Sequence, residues 1–311
     1  MRIVFMGTPA FAVPCLKALV KSGMDVAGVF TQPDRPKGRG NKLAPSPVKL
    51  AAEEAGIPVF QPERIRRDGM EDLKKLKPDL CVTAAFGQIL SQEILDIPPL
   101  GNINVHASLL PKHRGAAPIA YAIMEGDRKT GVTTMYMDAG IDTGDMLLQE
   151  ETEIGESETC GELTERLSMI GAELLMRTIR KLEDGTLRRI PQNEAEMSYD
   201  PMLNKSMGIA AFEKGAASVR GQINGLNPWP CVSVPLGSER LKLLRAVCTD
   251  QDGAPGTVIA ADPKNGLITA CGEGAVRILE IQAPGGKRMR PEDYLRGHSI
   301  PIGTDLKEER V

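Results

Sequence analysis

The first half of the chain alternates short β-rich runs with helical patterns, and this alternation restricts the possible folds more than any other feature of the chain. The β-rich runs are Arg2–Met6, Asp25–Phe30, Leu80–Ala84 and Asn102–Val105, with helical stretches at Pro9–Ser22 and Pro47–Ala55. Strands joined through helices are too far apart in sequence to form hairpins. They pair in parallel, which predicts a mostly parallel, Rossmann-like α/β sheet with helices on both faces. A ligand-binding surface then lies beyond the carboxyl ends of the strands.

Further along, the spacing predicts one long helix between Thr159 and Asp184. Thr159 and Glu162 can form a capping box, and Gly185 supplies the stop. Leu163, Leu167, Ile170, Leu174 and Leu182 recur at helical spacing and read as packing residues. From Thr186 to about Gly208 the pattern becomes polar and irregular, as between domains. A helical stretch, Phe212–Ile223, then precedes strand-like runs at Cys231–Leu236, Leu241–Val247, Gly256–Ala260, Leu267–Ala270 and Val276–Ile281. Short strands punctuated by Gly, Pro and Asp predict a smaller OB-like β-barrel. The expected division is a first domain over 1–189, a linker over 190–208 and a second domain over 209–311, since 311 residues exceed what one core usually serves.

Hydrophobic residues at 41% and charged residues at 25% exclude disordered and fibrous classes. The apolar run at the N-terminus breaks at Gly7 and Pro9, and no stretch approaches the roughly 18 apolar residues of a membrane span, so a cytoplasmic protein without membrane contact is expected. The six cysteines are dispersed and never form CxxC, which predicts reduced thiols without zinc. A net charge of −3 carries no global nucleic-acid signal, and residues 209–311 hold 13 Lys+Arg against 12 Asp+Glu. Any RNA contact must therefore use local patches. One candidate is 31–49, where Arg35, Lys37, Arg39 and Lys42 are opposed only by Asp34; Lys287, Arg288 and Arg290 are a second.

The densest collection of chemistry-bearing residues is GNINVHASLLPKHRGAAPI, 101–119. Asn104 and His106 alternate with Val105, so a carboxamide and an imidazole point to one side of a strand end. The second is MDAGIDTGDM, 137–146, whose spacing does not fit a calcium loop, so a carboxylate near His106 is expected instead of a metal site. Alone, such a histidine is usually a hydrogen-bonded structural residue and such an aspartate a turn former; only the combination points to catalysis. His113 and His298 read as loop residues.

GTPxFA at 7–12, NVHxSLLPxxRGxxP at 104–118 and MDxGxDTGD at 137–145 together resemble the folate-dependent formyltransferase family. TQPDRPKGRGNKLAPSPVK at 31–49 and LNPWP at 226–230 resemble its tRNA-directed branch. The resemblance implies that Asn104, His106 and Asp142 are catalytic, and that Ser108, Leu109, Leu110 and Pro111 line the folate site. It also implies 10-formyltetrahydrofolate as donor cosubstrate, no metal, and initiator methionyl-tRNA as acceptor, with no protein partner. Lys37, Arg39 and Lys42 would contact the tRNA as a mobile arm, and the second domain would assist. The rival acceptor is a small amine such as glycinamide ribonucleotide or an amino sugar nucleotide. A dinucleotide-binding oxidoreductase is disfavoured, because Gly7 stands without GxGxxG. Two positions depart from the branch: Phe212, where tryptophan is frequent, and Asn224, where arginine is common.

Overall fold

The computed structural model describes residues 1–37 and 42–307. Arg39, one of the three cations expected on RNA, lies outside the described residues, as do the side chains of Lys37 and Lys42. The chain forms two compact units that do not follow its linear order. The first comprises Met1–Gly115, Gly131–Thr152 and Thr164–Tyr199; the second comprises Ala116–Thr130, Glu153–Leu163 and Asp200–Val311.

The first unit is built on strands β1 (Arg2–Gly7), β2 (Asp25–Phe30), β5 (Val59–Phe60), β6 (Leu80–Ala84), β7 (Asn102–His106), β9 (Lys129–Tyr136) and β10 (Met146–Glu153). Their order across the sheet is β10-β9-β7-β6-β1-β2-β5. The pairs β1–β2, β1–β6, β2–β5 and β6–β7 are parallel, and β7–β9 is antiparallel. The expected parallel core is therefore present, and β9 and β10 extend it. They carry no clean apolar alternation, because β9 reads KTGVTTMY and buries threonines instead. Thr130, Thr133 and Thr134 are all buried.

Helices α1 (Val13–Lys21), α2 (Pro47–Glu54), α3 (Met70–Leu76), α4 (Gln92–Leu95) and α6 (Cys160–Glu183) accompany the sheet. The capping box forms at α6: the Thr159 amide and hydroxyl both donate to Glu162, at 3.0 and 2.9 Å. Leu163, Leu167 and Leu174 are fully buried as expected, whereas Ile170 and Leu182 are half-buried and Leu175 and Ile179 complete the stripe. Gly171 lets the helix approach β7, since a Cβ there would meet Val105 at 2.9 Å. Between β2 and α2, residues expected to be an open loop pair as a short hairpin, β3 (Arg35–Lys37) with β4 (Lys42–Ala44), in which Lys37 stands opposite Lys42. Lys49 reaches Asp34 at 2.8 Å and anchors the base of the segment.

In the second unit α5 (Pro118–Glu125) and α7 (Ala216–Gly225) belong with an antiparallel, barrel-like sheet. Its strands are β12 (Val232–Leu236), β13 (Glu239–Thr249), β14 (Val258–Asp262), β15 (Gly266–Ala270) and β16 (Ala275–Gln282), in the order β12-β13-β16-β15-β14, with β17 (Arg288–Met289) on β16. The five expected strands are these, each within two residues of its predicted bounds. Phe212 is part of this unit's core with Val219, Ile223 and Val234. Asn224 is buried and clamps α7 to β13: its amide donates to the Ala246 carbonyl at 3.0 Å and its oxygen accepts from the Ala246 amide at 2.9 Å. Both departures from the branch pattern are thus interior packing residues. Of the second basic cluster, Arg290 is paired with Asp293, while Arg288 reaches Asn227 at 3.5 Å.

Candidate active site

The carboxyl end of β7 presents Asn104 and His106 on one side of the strand, next to β6 and β9. Both side chains are buried. The chain then turns through Ser108–Pro111, a turn held from the sheet by Thr133 on β9. The Thr133 hydroxyl donates to the Ser108 carbonyl at 2.7 Å and accepts from the Leu110 amide at 3.1 Å. Gln149 on β10 adds a bond to the Leu110 carbonyl at 2.8 Å. The Ser108 hydroxyl is fully buried and donates to the Lys112 carbonyl at 2.7 Å. Ser108 and Leu110 therefore shape the turn from inside, while Leu109 and Pro111 are half-buried.

Past this turn the chain doubles back, with His113 in a left-handed conformation at φ +59°. His113 lies in a turn, as expected, but is buried, and its carbonyl accepts from His106 Nε2 at 2.8 Å. With Nε2–H engaged there, the ring nitrogen left for chemistry is Nδ1. It faces Asp142 Oδ1 at 3.6 Å, and Asn104 Nδ2 lies 3.5 Å from the same oxygen. Both distances exceed a formed hydrogen bond of about 2.7–3.2 Å, so the three groups converge without saturating one another. That leaves donors to give to a substrate.

Asp142 sits in the turn 137–145 at φ +53°. The turn closes on itself: Asp138 accepts from the Gly140 amide at 3.0 Å and the Thr143 hydroxyl at 2.6 Å. Gly144 is required, because any Cβ there would run into the Tyr136 carbonyl. The Asp142 side chain is fixed through Oδ2, which accepts from the Gly115 amide at 2.9 Å.

A second group of residues had no signal in the sequence beyond a polar stretch. Ile190 bridges Met146, and Gln192 donates to the carbonyls of Asp142 and Gly144, each at 2.8 Å. Arg114 donates from Nε to Gln192 Oε1 at 2.9 Å and grips Glu194 with both terminal nitrogens, at 3.0 and 2.7 Å. That guanidinium holds the Glu194 carboxyl below its usual range. Ser198 accepts from the His113 amide at 2.8 Å. No group of three or more His, Cys, Asp and Glu among the described residues could hold a metal.

Residues 1–179 match the formyl transferase family and residues 202–299 match the formyl transferase C-terminal domain. The chain is 48% identical to a methionyl-tRNA formyltransferase of Acetivibrio thermocellus over 98% of this chain and 99% of that one. It is also 48% identical to a methionyl-tRNA formyltransferase of Clostridium novyi, over 99% and 100%. Among solved structures it resembles an N-formyltransferase from Helicobacter canadensis bound to folinic acid and dTDP-3-aminofucose, with a TM-score of 0.68 at 19% identity over 93% and 100% of the two chains. With both halves matched and relatives of this similarity along nearly the full length, the chain belongs to the formyl transferase family.

Proposed function

We propose that this protein transfers the formyl group of 10-formyltetrahydrofolate to the amino group of initiator methionyl-tRNA, in the cytoplasm. The observation that carries the reading is the convergence of Asn104, His106 Nδ1 and Asp142 at the end of β7. The full-length relatives, which are named methionyl-tRNA formyltransferases, supply the acceptor.

The chemistry asks for what these groups offer. The neutral amine attacks the formyl carbon, a C–N bond forms, and the carbonyl oxygen becomes an oxyanion that needs aimed donors. Asn104 Nδ2–H and the Nδ1–H of a protonated His106, whose Nε2–H is already given to the His113 carbonyl, are those donors. Asp142 accepts the proton released by the attacking amine. Collapse of the intermediate breaks the bond to folate N10, which leaves with a proton delivered through His106. No covalent enzyme intermediate is required, so the reading calls on no activated Ser or Cys. The turn Ser108–Pro111 forms a wall for the folate. Lys37, Arg39 and Lys42 neutralise tRNA phosphates.

The test is a formylation assay with 10-formyltetrahydrofolate and charged initiator tRNA, with charged elongator tRNA and small amines as controls. Formylmethionyl-tRNA is expected as product. Faster transfer to glycinamide ribonucleotide or an amino sugar nucleotide would overturn the reading.

A further inference from the structure

We propose that Gln192, aimed by the buried Arg114, is a positioning residue that sets the place of Asp142; this rests on the catalytic reading of Asp142. Asp142 lies on a turn whose backbone is left-handed at that residue, so its carboxylate is only as well placed as the turn is held. Three bonds from outside the turn reach Asp142 and its neighbour Gly144. The Gln192 amide nitrogen takes the carbonyls of Asp142 and Gly144 together, using both of its hydrogens. The Gly115 amide takes Asp142 Oδ2.

Both restraints lead to Arg114. Its side chain is 2% exposed, and its Nε–H engages Gln192 Oε1, which fixes the amide with its nitrogen toward the turn. Its own backbone precedes the Gly115 amide. The Arg114 amide in turn donates to the Ser198 carbonyl at 2.9 Å. The charge of this buried guanidinium is balanced by Glu194, itself 67% exposed. One arginine therefore locks the catalytic carboxylate from its main chain and its side chain, through a partner 78 residues away in sequence. Misplacement of a reacting group by about 1 Å can cost on the order of 10²-fold in rate, which sets the scale of the effect.

The experiment compares Gln192→Ala and Gln192→Met with wild type and with Asp142→Ala. Methionine keeps the length and bulk of the side chain but has no amide. Both Gln192 variants should lower kcat 10- to 100-fold, with KM for folate and for charged tRNA within twofold. Gln192→Met should keep the wild-type melting temperature within a few degrees. Adding Gln192→Met to Asp142→Ala should cost nothing further, since there is no carboxylate left to place. Unchanged kcat in Gln192→Met while Asp142→Ala is inactive would overturn the positioning role alone. Near-normal turnover in Asp142→Ala would instead overturn the catalytic reading. A full additional loss in the double variant would also refute positioning, because Gln192 would then act on something other than Asp142.

Discussion

Replacing Thr133 by valine exchanges one hydroxyl for a methyl group of nearly the same size, at a side chain with no exposure to solvent. No cavity opens, so the cost comes from hydrogen bonds alone. Three partners lose the hydroxyl: the Ser108 carbonyl, the Leu110 amide and the Gln149 amide nitrogen at 3.0 Å. Gln149 keeps its bond to the Leu110 carbonyl, so two backbone groups carry the loss. A buried polar group left unpaired costs about 1–3 kcal/mol, which gives a destabilisation of about 2–4 kcal/mol for a partly relaxed site. In a unit of this size that lowers the melting temperature by roughly 5–15 °C. Urea titration should show a lower midpoint at unchanged slope, since the surface exposed on unfolding is the same. Because the turn it holds is the proposed folate wall, folate affinity should fall as well. If Thr133→Val melts within a degree of wild type and binds folate equally well, Thr133 does not hold the turn.

Three further outcomes are expected. His106→Ala and Asp142→Ala should fold with near-normal melting curves and lose about two to four orders of magnitude in turnover, so near-normal turnover in either would remove that residue from the mechanism. Arg39→Ala should lower kcat/KM for charged tRNA without changing folate affinity, and its binding should have a log–log salt slope shallower by about one than wild type; identical slopes would mean a solvated basic segment. Native thiol labelling near neutral pH should reach the partly exposed Cys160 and Cys248 first. Burial pushes the Cys15 thiol up to about 12, so its thiolate is scarce and it should label only on unfolding; rapid native labelling of Cys15 would contradict its burial.

What this sequence determines by itself is what local patterning can carry. The β/α alternation specifies the parallel strands because helix-length connections leave no other pairing. The strand end specifies that Asn104 and His106 share a side, because side chains alternate with a period of two. The capping box at Thr159 and the turn glycines near Asp142 are equally local. Other features have no such mark. β9 buries Thr133 and Thr134, whose hydroxyls bond to groups 14 to 44 residues away, so its polarity hides a strand. His113 reads as a loop residue, yet its carbonyl decides which nitrogen of His106 is free. Residues 190–198 read as a polar connection, and their polarity is that of groups bonded to loops 48 to 85 positions upstream. A hydrogen bond between distant segments leaves no period in either one. Only the folded chain decides that Gln192, Glu194 and Ser198 meet the turns of Asp142 and His113, because their partners exist only once β7 and β10 have brought those turns together.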